Sequence, residues 1–165
     1  MQVSAKMTEE DSNWLFKNKG HGMISAAASL GMVMLWNVDE SLKQIDKYFH
    51  HNEDFAKAGA CLGVGIISSG VRNEYYPALA LLSEFVDNTL VFTNVRQTSI
   101  LGLGLAYAGS QRDEIRELLE GIIFNTDITE ASLFLVRIAQ GLNAMGKGLK
   151  WLNPFLSVRY NLVDV

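Results

Sequence analysis

The chain has 165 residues, 48% apolar and 19% charged, with a net charge of −4, 14 glycines, 2 prolines and 1 cysteine. That share of core formers excludes an intrinsically disordered chain. The negative charge argues against a nucleic-acid binder, and one cysteine excludes a disulfide scaffold or a multi-cysteine zinc site.

The polar N-terminus, MQVSAKMTEEDSNW, is not a secretory signal. The longest apolar run, Ile24 to Trp36, is broken by Ser25, Ser29 and Gly31 and falls short of the ~18 residues of a membrane span. The expectation is an intracellular protein in a reducing compartment, with neither membrane nor nucleic acid as a partner. Gly and Pro usually rise together in turn-rich chains. Here they do not, and the glycines keep a register instead.

In chain order, residues 1–20 read as an irregular or partly helical lead-in. GMISAAASLGMVMLW, ending at Trp36, reads as a first helix rich in small residues. ESLKQIDKYF follows as an amphipathic helix, with Leu42, Ile45 and Phe49 on one stripe. Ala56 to Ser69 is a second small-residue helix, in which Gly63 and Gly65 lie among Leu, Val and Ile. Gly70 follows where the left-handed C′ position is expected. PALALLSEFV is the next amphipathic helix, opened by Pro77. Asp87 to Arg96 reads as a longer loop. QTSILGLGLAYAGS, from Gln97, is a third small-residue helix closed by Gly109. RDEIRELLEGII turns Ile115, Leu118, Leu119 and Ile122 inward, with Asp113 and Glu114 at its start, where the helix dipole favours acids. VRIAQGLNAMGKG is a fourth small-residue helix, and 149–165 is a tail.

The register is explicit. Gly63, Gly65 and Gly70 align with Gly102, Gly104 and Gly109 at an offset of 39. Gly141 and Gly146 align with Gly104 and Gly109 at 37. Gly31 aligns with Gly65 at 34, with Trp36 in the place of Gly70. Two residues before the aligned glycine stand Ser29, Gly63, Gly102 and Ala139, all small. A period of this length is the mark of a stacked repeat architecture. A glycine inside a helix costs about 1 kcal/mol relative to alanine, so these helices must regain it by close packing. The fold expected is an all-α solenoid over residues 21–148. It holds about four helical hairpins, the last partial, and forms an incomplete ring. Without obvious capping repeats its apolar ends are expected to self-associate or to leave folding marginal.

The pattern resembles the proteasome/cyclosome repeat, whose signature LGLGLAYAGS at Leu101–Ser110 looks like. NWLFKNKGHGMISAAASLGMVMLWNVDESLKQIDKY, KAGACLGVGIISSGVRNEYYPALALLSEFV and FLVRIAQGLNAMGKG are similar to a ring-forming scaffold in the base of the proteasome's regulatory particle, from about Asp11 onward. The resemblance implies a non-enzymatic scaffold, without cofactor or metal, in cytoplasm and nucleus. It implies docking of ubiquitin, ubiquitin-like domains of shuttle factors and ATPase subunits on outer helices. Carried over by position, it makes Asp39, Leu42 and Gln44 candidate partner contacts. In the family, further repeats and an acidic insertion separate the segments that meet here near Phe124–Asn125. The acidic ubiquitin-docking helix lies among them, so weak or lost ubiquitin affinity is expected. A truncated product with no independent function is the alternative.

Other chemistries are weaker. GLNAMGKG, from Gly141, nearly fits a phosphate loop through Gly146 and Lys147, but Gly148 replaces the Mg²⁺-ligating hydroxyl and no strand precedes it. A nucleotide-binding protein using Lys147 is the remaining, less favoured reading. Gly63-Val-Gly65 and Gly102-Leu-Gly104 lack the third small residue of a dinucleotide fingerprint. His21, His50 and His51 lack partners at metal-ligand spacing. Cys61, among Ala60, Leu62 and Gly63, reads as a small buried hydrophobe rather than a nucleophile. Asp113, Glu114, Glu117 and Glu120 read as a solvated face that Arg112 and Arg116 offset, or as an acidic surface for a basic partner.

Overall fold

A computed structural model describes residues 17–71, 75–88, 90–124 and 128–146. Among them the chain forms seven α-helices and no strand. They are α1 (His21–Val33), α2 (Val38–Phe49), α3 (Asp54–Ile67), α4 (Pro77–Asp87), α5 (Thr93–Ala106), α6 (Asp113–Ile123) and α7 (Glu130–Asn143). The odd-numbered helices stack on one another, α1 on α3, α3 on α5 and α5 on α7. The even-numbered helices form the outer layer. This is a helical-repeat solenoid.

The inner helices stack because their backbones touch. A Cβ added at Gly31 would lie 2.7 Å from the Gly63 carbonyl oxygen. One added at Gly65 would land on the Gly102 backbone, and one at Gly104 would lie 2.7 Å from the Ala139 Cα. Gly59 meets Ile24 and Ala27 one turn before Gly63 meets Gly31, so neighbouring inner helices run parallel. The central helix, α3, is buried along most of its length because it has an inner helix on either side. At the N-terminal end of the stack His21, Phe55 and Phe92 form a ladder of edge-on rings, with centroids 5.5 and 5.4 Å apart.

Each outer helix packs chiefly on the inner helix that follows it in sequence, α2 on α3, α4 on α5 and α6 on α7. The hairpin is thus a unit of sequence, while the packing unit joins two hairpins. Ile45, Leu82 and Leu119, spaced by 37, are fully buried at equivalent positions. Ile45 Cδ1 would lie 3.1 Å from a Cβ at Gly63, and Leu82 Cδ1 3.2 Å from one at Gly102. The inward stripe of α2 is centred on Ile45 with Ser41 and Tyr48, while Leu42 and Phe49 are half-buried at its edge. Phe49 stacks on Phe85 at 5.9 Å, linking α2 to α4.

Two boundaries differ from the sequence reading. The loop read over Asp87–Arg96 ends early, because α5 begins at Thr93. Its start carries no side-chain cap. Phe92 packs on Phe55, and the buried Arg96 donates from Nε to the Val86 carbonyl at 3.0 Å. Tertiary contacts, rather than a capping residue, set this end. The left-handed residues also sit beyond C′. Gly70, Gly109 and Gly146, at φ 74°, 70° and 75°, each follow the cap residue by two. Trp36 takes the same place after α1 at φ 71°. The turns close in the same way, with Asn37 N–H donating to Met34 O, Val71 to Ser68 O and Ser110 to Tyr107 O.

The close contact makes opposite predictions for two glycines. Gly65→Ala drives a methyl into the Gly102 backbone, and such overpacking costs roughly 1–3 kcal/mol. Gly121, within α6, has open space where a Cβ would go, so Gly121→Ala is expected to stabilise by about 1 kcal/mol. Urea unfolding followed by circular dichroism reads both; a stabilised Gly65→Ala would contradict the packing described.

Candidate functional site

The candidate surface lies on α2. Its position is set from below, by the buried Ser41 hydroxyl donating to Met34 O at 3.0 Å and by Ile45 seated over Gly63. Asp39 and Glu40 lie in the first turn and Lys47 in the last, each favoured by the helix dipole. Asn37 Nδ2 donates to Glu40 Oε2 at 2.9 Å. Asp39, Lys43, Asp46, Lys47 and His50 are exposed, and the Asp46 and His50 side chains approach to 3.7 Å. The result is a mixed-charge ridge.

Asp39 is fully on this ridge; Leu42 and Gln44 are half-buried, with Gln44 Oε1 turned inward. At about 100° per residue, Asp39 and Leu42 are about 60° apart, so one partner can touch both. Gln44 is about 160° from Leu42, on the opposite flank. The repeat glycines form a second, structural set. Gly31, Gly63, Gly65, Gly102 and Gly104 lie at contacts between inner helices, and Gly70, Gly109 and Gly146 at left-handed turns. Gly141 has no described atom within 4 Å of its would-be Cβ.

The other chemistries have these settings. Gly63–Gly65 and Gly102–Gly104 are inside α3 and α5. Gly141–Asn143 close α7, a helix rather than a strand, while Lys147, Gly148, Asn125 and the tail from 149 lie outside the described residues. Among the described residues no group of three His, Cys, Asp or Glu is placed to hold a metal ion. His51 Nδ1 accepts from Glu53 N–H at 3.1 Å. On α6, Arg116 pairs with Asp113 at 3.0 Å and Arg112 with Glu114 at 3.8 Å, the acids exposed and the arginines half-buried. No helix among the described residues is long and apolar enough to cross a membrane.

The sequence reading missed one cluster. The Tyr107 hydroxyl, at the end of α5, accepts from Leu79 N–H at 3.1 Å in the first turn of α4. Tyr76, the residue before α4, is left-handed at φ 45° and makes no side-chain cap, so α4 takes its cap from the next repeat. Arg112 lies over the Tyr76 ring at 3.8 Å and over Tyr107 at 5.9 Å. Burial pushes the Tyr107 phenol up, against the Leu79 N–H and the Arg112 charge that pull it down. A cavity of about 20 Å³, the size of one water, lies among Ser68, Tyr76 and Tyr107. No periodic signal marks this cluster, because its members come from two connections in successive hairpins, 68–76 and 107–112.

Residues 25–58 and 98–130 match the proteasome/cyclosome repeat. The chain is 40% identical over 138 residues to the 26S proteasome non-ATPase regulatory subunit 2 of Dictyostelium discoideum. It is 43% identical over 138 residues to the 26S proteasome regulatory subunit rpn1 of Schizosaccharomyces pombe. Each alignment covers 84% of this chain and 15% of the relative. Over 71 residues, 43% of the chain and 8% of the relative, it is 59% identical to the 26S proteasome non-ATPase regulatory subunit 2 homolog B of Arabidopsis thaliana. The chain thus spans about 15% of the length of the first two relatives.

Two outcomes are expected at these sites. Tyr107→Phe leaves the Leu79 N–H without its partner and is expected to destabilise by about 1–3 kcal/mol in urea unfolding; an unchanged midpoint would refute the cross-repeat cap. Cys61 is fully buried, and burial pushes its thiol up to about 12, against a smaller lowering by the Ser99 side chain. Below pH 9 both folded and unfolded thiols are protonated; from pH 9 to about 12 only the unfolded one ionises, so stability falls as pH rises through that window. At pH 8 a disulfide thiol reagent is expected to react far more slowly with the native chain than with the urea-unfolded chain, because the folded thiol is both protonated and inaccessible. Equal rates would place Cys61 outside the core.

Proposed function

We propose that this chain, which carries proteasome/cyclosome repeats, acts as a non-catalytic scaffold segment of the proteasome's regulatory particle. Its working surfaces are the outer helices, which offer docking sites to ubiquitin-like domains, shuttle factors and ATPase subunits. The observation that carries the reading is the 84% of the chain aligned at 40% identity with a proteasome regulatory subunit. Two physical features support it. The inner glycines that resemble nucleotide fingerprints are occupied in helix contacts. The sole cysteine is buried with its thiol protonated. The site of action follows from the assembly, in cytoplasm and nucleus.

On α2, Asp39 and Leu42 offer one charge and one apolar contact on a shared edge, as a small domain with a basic rim requires. Gln44 serves a partner that wraps to the other flank. Binding through such a narrow, solvated ridge is weak and screened by salt.

The test is a titration of an isotope-labelled ubiquitin-like domain with the intact chain, together with capture of regulatory-particle base subunits. Fast-exchange shifts that shrink with salt are expected. Asp39→Ala or Leu42→Ala is expected to weaken binding by about 1 kcal/mol, roughly five-fold. No shift with any ubiquitin-like domain and no capture of base subunits would overturn the proposal.

A further inference from the structure

The three internal junctions obey one rule. A glycine of one inner helix, Gly31, Gly65 or Gly104, faces the backbone of a small residue on the next, Gly63, Gly102 or Ala139. Each of these small residues stands two positions before the glycine that its own helix offers onward, with Gly141 next in line after Ala139. Both halves of this contact recur, without a described partner, at the two ends of the stack. On α7, Gly141 stands where Gly104 stands on α5, but it is exposed with nothing described against it. On α1, Ser29 stands where Gly63, Gly102 and Ala139 stand.

The faces without a described partner extend beyond these two residues. Along α7 and its turn, Ala131, Phe134, Ile138, Gly141 and Met145 follow spacings of three and four, with Phe134 63% and Met145 54% exposed. Along α1 and its turn, Gly22, Ser25, Ser29, Met32 and Trp36 follow the same spacings, with Met32 62% and Trp36 72% exposed. Neither stripe holds a charge. Large exposed apolar side chains on an uncharged stripe, Met32 with Trp36 and Phe134 with Met145, mark interaction surfaces.

We propose that copies of this chain associate head to tail, with α7 of one copy against α1 of the next, continuing the internal junction between molecules. The occupant is a second copy because each end carries the half-contact that the other lacks. Inner helices run parallel, so a translated second copy presents α1 in the direction that a further inner helix would take. Such an interface is heterologous, with different surfaces on its two sides, and each copy keeps one free end for another. Trp36 and Met145 then lie near the same edge of the junction, where an exposed tryptophan is an effective anchor.

The test uses sedimentation velocity on the full chain over a range of concentrations. Gly141→Arg has room in the single chain, and Met32→Arg replaces an exposed side chain, so each leaves the protomer folded by circular dichroism. Each places an uncompensated charge in one half of the contact. The parent mass is expected to rise with concentration above the 18.3 kDa protomer, and each variant alone is expected to stay at that value. An equimolar mixture of the two variants is expected to reach twice the protomer mass and stop, because each retains the half that the other has lost. If Gly141→Arg loses helicity, Phe134→Glu on the same face replaces it. A parent that stays monomeric overturns the proposal. So do variants that associate as the parent does, through another surface or segment, and a mixture that stays monomeric.

Discussion

Everything in this fold depends on one steric condition, that the backbone of an inner helix can reach the backbone of its neighbour. Gly65 against Gly102 is the clearest case, since any side chain at the first would occupy the space of the second. The condition costs helix propensity at every glycine, about 1 kcal/mol each. It is offset by contact: parallel backbones at this distance bring the flanking Val64, Ile67, Ile100 and Leu103 into a core that excludes water. The outer layer follows from the same condition. The space that a missing Cβ leaves at Gly63 and Gly102 is where Ile45 and Leu82 insert, so the inner-helix glycines also fix the depth of the outer helices.

How far the sequence carries this architecture depends on the kind of signal. The inner stack was legible because glycine at a period of 34 to 39 is rare by chance and has one physical use inside a helix. The outer helices α2 and α6 were legible from their apolar stripes. The partner of each outer helix was not, because a stripe says that a face is buried and not what covers it; α2 rests on α3, across a hairpin boundary. The start of α5 was hidden for a related reason. Thr93 and Asn94 look like capping residues, yet they lie inside a helix whose end is held by Phe92 on Phe55 and by Arg96 on Val86. For the candidate site, Asp39, Leu42 and Gln44 came from the resemblance by position, and only the structure shows that Asp39 is exposed. The separation of Gln44 from Leu42 requires knowing which way α2 is rolled, and that is set by Ile45 and Ser41.

The repeat match covers 25–58 and 98–130, and the helices between these stretches keep the same alternation of inner and outer helices. The unit of structure is therefore more regular than the unit of sequence. A solenoid of this kind separates two tasks. Inner positions answer to steric limits that leave little choice of side chain. Outer positions such as Asp39, Lys43 and Asp46 contribute little to packing and are open to be shaped by a partner.

The turns show where the regularity gives way. Among the described residues, three other than glycine hold left-handed backbones, Trp36, Tyr76 and Gln111, a conformation that costs roughly 1–2 kcal/mol. Two are held in place by neighbours. Arg112 covers the Tyr76 ring, and Gln111 N–H donates to Asn143 O at 3.1 Å on the next inner helix. Trp36 differs: its side chain is largely exposed, and glycine serves in the equivalent turns. Strain held by surrounding structure is expected at a packed junction. Strain at an exposed aromatic has no such compensation within the protomer's described contacts. A second copy seated at this face, as proposed above, would supply that compensation.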